Sequence, residues 1–535
     1  MKNAALLTTF ILIGSLCRSQ GTLISSVVQV NASIADLAVD GAGNTYVIGT
    51  FVSTLTLGDL VLTSAGASDT YLACLGPNGE WVWAERIGGT GSDGGTTVAV
   101  NGTYDLYVST FVEDGPSLSV GTLPVPGFPN SGLALMRMNT AGEYQWATPA
   151  SVGNLLNIRS VVTDQNVCYL GGTAFDHASL QFGAHVVGTT EVSGFLAACD
   201  GEGEWLWAKE YGQSLQSSCD GIATDPSGDL LATGRFGGPT LTLDGASLTG
   251  PPLSQEGGVY SSPYIGRWSS GGELQWLIKG DVGSDGDAST SSISATPDGG
   301  CALTGNYLDS LSFGNAHLTT GAFFMSAFDA SGVCDMAADF QPFGDPFYPS
   351  DAVLLDDGSL LHAGYYAGDL HLGTLELLGN GHVAGFVGQC STDNEWILAE
   401  SALSTDQAAF HRLAHNGPHV RALGRFQQAL FIGEDTYDPS HGTWFIALLA
   451  PLSTGVPEGF EKKPLHMYPN PAQERVSGGV VGESGMTLLR VFGPLGNTVI
   501  TQWVDAASFD IGLIGLPAGI YVVSVRNSIA RFVKE

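Results

Sequence analysis

The sequence predicts an all-β protein: a seven-bladed β-propeller followed by a small immunoglobulin-like β-sandwich. Three observations carry this. A small residue, any residue and then an aromatic recur at Phe51, Phe111, Phe175, Phe236, Tyr307, Tyr366 and Phe426, with gaps of 60, 64, 61, 71, 59 and 60 residues. A period in this range, with several short strands per unit, belongs to radial β arrays. Of 535 residues 74 are Gly and only 13% are charged, which suits strands and turns rather than helices. Residues 466–535 then leave the period and carry alternating apolar runs of their own.

Each unit reads as four strands. Unit one runs Asp36-Leu-Ala-Val-Asp40, a Gly-Asn turn, then Thr45–Phe51, two strands joined by hairpin chemistry. The turn is kept as Asn101-Gly102, Pro226-Ser227-Gly228, Asp298-Gly299, Asp357-Gly358 and Asn416-Gly417. A loop follows with two apolar residues and a Gly, as in Leu55-Thr-Leu57-Gly58 or Leu370-His-Leu372-Gly373. The apolar pair is expected to pin the loop to its blade, with Gly supplying the bend. The third strand carries an aromatic, such as Tyr71, Phe195 or Tyr264. The fourth carries Trp81-Val-Trp83, matched by Tyr144-Gln-Trp146, Trp205-Leu-Trp207 and Leu274-Gln-Trp276. Alternation puts both aromatics on one face, and their recurrence points to packing between neighbouring blades rather than to a ligand. Unit seven ends in its third strand at Phe445–Leu449, whereas an extra strand, Leu23–Val30, precedes unit one. The N-terminal strand is therefore expected to complete the last blade, leaving no large open edge.

These units, in the GNTYVIGTF, LTLG and NGEWVWAERIGGTGSD stretches of unit one, resemble the bacterial β-propeller repeats known as SBBP repeats, over roughly residues 23–450. The resemblance implies a propeller scaffold in an exported bacterial protein and no single activity.

The chain ends point to export. Residues 1–20 read as a secretory signal peptide, with Lys2 as the positive region and Ala4–Leu16 as a short apolar core. No stretch is long enough to span a bilayer as a helix, so the mature protein is expected to have no transmembrane segment. The formal net charge is −33, and from Pro464 onward five basic and five acidic residues balance. The acidic excess thus lies in the repeats; its field repels nucleic acid and anionic lipid. Seven cysteines remain beyond the signal, with no CxxC and no shared spacing. They form neither a disulfide framework nor a cysteine zinc site.

The expected domains are the signal peptide 1–20, the propeller 21–453, a linker 454–465 and a C-terminal domain 466–535. That last segment holds Tyr468-Pro-Asn-Pro471, a Gly-Asn turn at Asn497 and Leu516-Pro-Ala-Gly-Ile-Tyr-Val-Val-Ser-Val525. In this order the motifs resemble the C-terminal sorting domain of the type IX secretion system, the Por secretion tail. The resemblance implies the type IX machinery as a partner. It also implies passage through the periplasm, and release or display at the outer-membrane surface of a Bacteroidetes-type bacterium.

No nucleophile elbow, HExxH, Walker loop or dinucleotide fingerprint is present, so no catalytic or cofactor-binding residue is assigned. Asp281, Asp285 and Asp287 share a Gly/Ser-rich loop, an oxygen set of the kind Ca²⁺ prefers, but without an EF-hand pattern. His411, His415 and His419 are spaced by four; on strand and turn that spacing makes no zinc face. Counting fifteen residues back from each marker aromatic gives Asp36, Thr96, Ser160, Gly221, Ser292, Asp351 and His411. These are expected on the innermost strands near one mouth of the channel, sharing a face with the second-to-third strand loops. Tyr260, in the longest such loop, is the clearest aromatic there. Asp36, Asp351, His411 and Tyr260 form the expected ligand face. The preferred function is a surface binding or adhesion module for a glycan, protein or matrix polymer. The alternatives are an extracellular polysaccharide hydrolase or lyase using Asp36, Asp351 and His411, and a structural surface-layer component. The oligomeric state is left open.

Overall fold

The computed structural model describes residues 23–450, apart from 103–104, 126–130, 152–154, 164, 176–178, 189–191, 212–214, 252–258, 284–285, 320–322, 341–346, 392–394 and 434. It also describes 465–534, apart from 481–485, 493–497, 506 and 526–527. The expected signal peptide, all but the last linker residue, Asp285, Asn497 and most of the loop before Tyr260 lie outside these residues. Described residues fall into two units, one within 22–452 and one within 453–535.

Both units are all-β. In the larger, seven four-stranded antiparallel meanders follow one another among the described residues. Sheet one has the strands Ser33–Val39, Thr45–Phe51, Asp69–Leu75 and Trp81–Gly88. The first strands of sheets two to seven are Gly94–Asn101, Leu155–Val162, Gly221–Thr224, Asp287–Ala295, Phe347–Leu354 and Ala408–Asn416. Each of these inner strands lies against the inner strand of the next sheet, and that of sheet seven lies against that of sheet one. Sheet seven takes its outermost strand from the N-terminus: Ile24–Val30 pairs antiparallel with Trp444–Leu449.

Local chemistry explains the repetition. Asp or Asn opens a tight turn and accepts from two following backbone N–H groups, as Asp40 does from Ala42 and Asn44, and Asp329 from Ser331 and Val333. Part of the acidic excess is thus turn chemistry. In the turn before the fourth strand the Gly has positive φ, for example +86° at Gly142, which only Gly adopts cheaply. Its missing side chain also leaves room for a neighbour. The Trp83 ring of sheet one covers Gly142 of sheet two and donates from Nε1 to the Thr140 carbonyl at 3.0 Å. Trp146, Trp207 and Trp276 repeat the bond to Gly201, Ser270 and Ala330 of the following sheet, at 2.9, 3.1 and 3.0 Å. The Trp stripe is a sheet-to-sheet fastening, as its recurrence indicated.

The Leu-x-Leu loops differ from expectation. Leu55 and Leu57 are buried as foreseen, but Thr54–Leu57 and Leu60–Thr63 form a two-stranded ribbon. In units two, three and seven such ribbons add to the outer strand of the preceding sheet: Ser119–Val120 pairs with Ile87–Gly88, and Leu430–Ile432 with Ala402–Ser404. The alternation that pins the loop is itself a strand pattern, and the outer edge of each sheet offers unpaired backbone groups.

The meeting of sheets seven and one has its own fastening. Arg421, on the second strand of sheet seven, is 3% exposed. It donates to Thr45 Oγ1 and the Gly43 carbonyl, each at 3.0 Å, and to its neighbour Val420. Asn416 donates to the Val39 carbonyl at 3.3 Å. Burial lowers the Arg421 pKa. Hydrogen bonds to a charged donor contribute roughly 1.5–3 kcal/mol each, so Arg421→Ala is expected to cost about 3 kcal/mol, read as a lower urea midpoint at unchanged m-value.

The C-terminal unit has a three-stranded sheet (Leu465–Tyr468, Arg475–Val480, Phe509–Gly512) and a four-stranded sheet (Thr498–Asp505, Met486–Phe492, Gly519–Val525, Ser528–Lys534). They share one apolar core with Val476, Leu489, Ile511 and Phe532. All seven described cysteines are free thiols, and burial pushes Cys74, Cys219 and Cys390 up to about 12, too high for a reactive thiolate.

Candidate functional site

A β-bulge decides what faces the axis. The register shifts between Ile34 and Asp36, Gly95 and Thr97, Leu156 and Arg159, Thr290 and Ser292, Pro349 and Asp351, and Phe410 and Arg412. In sheet four the same interruption separates Gln216–Ser217 from Gly221–Thr224. A bulge re-aims the side chain that follows it. Here it brings Asp36, Arg159, Asp220, Asp351 and Arg412 to one cavity of about 350 Å³, lined by residues of all seven inner strands. Beyond this charged level the lining continues along each strand toward its hairpin, past Val39, Val100, Val162 and Val353, to His415 and Asn416. The charged groups therefore lie at mid-strand rather than at the start of the strands.

The carboxylates already have partners in the next sheet. Asp36 Oδ2 accepts from Thr97 Oγ1 at 2.5 Å and Val98 N at 3.2 Å. Asp351 Oδ2 accepts from Leu413 N at 2.9 Å, and its Oδ1 from Ala352 N at 2.9 Å. Asp220 accepts from Thr290 Oγ1 at 3.5 Å. Burial raises the Asp351 and Asp220 pKa values, opposed in part by Arg412 or Arg159. The guanidiniums are less well served. Burial, then the field of Arg412, bring Arg159 down to about 10 against the pull of Asp36, Asp351 and Asp220. Arg412 donates from Nη1 to the His411 carbonyl at 3.1 Å, while its buried Nε has no acceptor among the described residues.

Asp36 and Asp351 both line the cavity, and His411 does not. Its ring lies 5.9 Å from that of Trp444, and burial lowers its pKa to about 4. The first hairpin of sheet seven is one residue tighter: Arg412 faces Leu423, eleven positions on, where Asp36 faces Ile48, twelve positions on. That moves Arg412 into the cavity in place of His411. Sheets two and three differ because the aromatic marker is offset there, so Thr97 and Arg159 take the post-bulge position. Tyr260 directly precedes the third strand of sheet four, Ser261–Trp268. That strand begins beside Gly237, at the end of the sheet away from the hairpin, and Tyr260 does not line the cavity. Asp281 is paired with Lys279 at 2.7 Å, and Asp287 accepts from Ser261 N at 2.8 Å. Among the described residues no three His, Cys, Asp or Glu side chains gather as metal ligands. The count from the marker aromatic does not reach the channel-lining residues Arg159, Asp220, Arg412 or His415; one step back from Ser160 and Gly221, and one forward from His411, reaches the first three.

No family model and no curated protein matches the chain. Among solved structures it is similar to a protein of unknown function from Dyadobacter fermentans (12% identity, TM-score 0.33, covering 66% of this chain and 93% of that one). A second is PorZ, described as a surface component of the type IX secretion system of Porphyromonas gingivalis (10%, 0.17, 95% and 100%). A third is the polysaccharide lyase Uly1 (8%, 0.41, 82% and 94%). At TM-scores below 0.5 these likenesses fix neither fold nor function. No helix among the described residues is long and apolar enough to cross a membrane.

Proposed function

We propose that this chain is an exported, seven-bladed β-propeller that binds an extracellular ligand in its central channel. The observation that carries the reading is the single cavity to which all seven inner strands contribute and where five charged side chains converge. Concave sites with a few converging polar groups are where small ligands bind. The cyclic contact of the inner strands and the Ile24–Val30 closure support the propeller. Export by the type IX route is supported by the signal-like residues 1–20 and the Tyr468–Pro471 and Leu516–Val525 motifs. Hydrolysis is the weaker reading, because Asp36 and Asp351 are held by neighbouring backbone and His411 is turned away.

The test is a glycan-array screen of the purified protein, with Ca²⁺ and with chelator. Specific binding that Asp36→Asn weakens at least tenfold is the expected result. A blank in both conditions removes the glycan, and capture of surface polymers or proteins becomes the remaining form of the reading.

A further inference from the structure

We propose that Arg159 and Arg412 form an oxyanion site across the central channel, filled by the carboxylate, phosphate or sulfate group of a ligand about the size of a monosaccharide. The proposal rests on the channel-binding reading and names what the channel selects.

The argument begins with an imbalance of hydrogen-bonding groups. Each guanidinium has five N–H donors and no acceptor. Among the described residues neither Arg159 nor Arg412 has an ion-pair partner within 4.0 Å. Elsewhere buried cations are met by acceptors: Arg137 by Asp105 at 2.7 Å, Arg267 by Asp225 and Asp229, and Arg421 by Thr45 and the Gly43 and Val420 carbonyls. In the channel the three carboxylates face the guanidiniums but are held by the next strand. The carboxylates keep free lone pairs, but among the described residues none forms an ion pair with either guanidinium, and the buried Arg412 Nε is left without an acceptor. A charge held away from water without a contacting partner is costly; the three carboxylates offset that cost for Arg159 only in part, and Arg412 adds to it.

Position gives the geometry. Arg159 comes from sheet three and Arg412 from sheet seven, so they approach from opposite sides of the sevenfold arrangement. A ligand oxyanion between them meets two planar forks, the arrangement that recognises carboxylate or phosphate bidentately. The space of about 350 Å³ is at the lower end for small-ligand pockets. Asp36, Asp220 and Asp351 retain acceptor capacity for hydroxyl groups on the remainder of the ligand. An acidic sugar satisfies both demands, and a free inorganic oxyanion satisfies the first.

The test uses the full purified chain in a low-salt chloride buffer. It is titrated separately with sulfate, phosphate, glucuronate, galacturonate and glucose, and read by calorimetry and by the thermal midpoint. At least one oxyanion is expected to bind at one site and raise the midpoint, while glucose does neither. Arg159→Gln and Arg412→Gln should each weaken binding at least tenfold, and Arg412→Lys less. Without ligand, Arg159→Gln should melt no lower than the parent, since burial disfavours the Arg159 charge more than the three carboxylates favour it. Tighter uronate than sulfate or phosphate binding identifies the acidic sugar; the reverse order identifies a free oxyanion. If none of the oxyanions binds or raises the midpoint of the parent chain, the proposal is overturned whatever the variants do. Equal binding of glucose also overturns it, while leaving the channel-binding reading intact. Oxyanion binding with a blank glycan array would keep this site and remove only the glycan.

Discussion

A chain lacking Leu23–Asn31 is expected to lose on the order of 5 kcal/mol or more and to self-associate. The segment supplies the outermost strand of sheet seven, in register from Ile24 opposite Leu449 to Val30 opposite Trp444. Leu23, Ile24 and Val30 are 3%, 6% and 1% exposed, and burying such side chains contributes about 1.5–3 kcal/mol each. The strand is also tied sideways, because Ile24 N donates to Glu400 Oε2 of sheet six at 2.7 Å. Removal bares the Trp444–Leu449 edge, and an unpaired edge recruits strands from other molecules. Thermal denaturation and light scattering should show a lower midpoint and a mass above the monomer. A synthetic Leu23–Asn31 peptide should reverse both, as strand addition does elsewhere. A monomer with an unchanged midpoint would show that this edge holds nothing together.

His362→Leu is expected to make the protein markedly more acid-resistant. His362 is fully buried between sheets five and six, its ring 5.4 Å from Phe323 and 5.2 Å from Trp396, and among the described residues neither ring nitrogen has a partner. Burial lowers its pKa from 6.5 to about 3. The native state therefore keeps the ring neutral while the unfolded chain takes up a proton below about 6.5. With more protons bound in the unfolded state, stability falls as pH drops from 6.5 towards 3 and this contribution levels off below that. At about 1.4 kcal/mol per unit, the loss reaches on the order of 5 kcal/mol. Unfolding curves of parent and variant at a series of pH values isolate the effect, since other groups cancel in the difference. The gap should widen steadily below pH 6.5; parallel curves would mean that the ring is solvated or paired.

What could be read from the sequence divides along a physical line. Turns and strand alternation recur along the repeats and the Trp fastening in four of them, so Asp40-to-Gly43 chemistry or the Trp83 spacing sufficed to place them. The N-terminal strand was legible because unit seven lacks one. The channel was legible only as a level. Which residue at that level faces inward depends on bulge position and hairpin length, and a slip of one residue sends a strand's side chains to the other face. Hence the count from the marker aromatic points to His411 where Arg412 stands, to Ser160 where Arg159 stands, and to Gly221 where Asp220 precedes it. The ribbon hairpin is carried by the Leu55-x-Leu57 alternation, but its attachment is not legible, because Ser119–Val120 finds its further partner in the preceding unit and no pattern within a unit encodes that pairing.

The bond between Ser25 and Leu448 spans 423 residues, and that distance sets a clock. Contacts this remote in sequence form late, because loop closure precedes any gain from them. A ribosome adding roughly 5–20 residues per second needs about 20 to 80 seconds to make the intervening chain. Throughout that interval the first strand has no partner and the first six sheets have no lock. A translocation pore that accepts only unfinished chains would have the same interval in which to engage this one, and it ends when Trp444–Leu449 arrives.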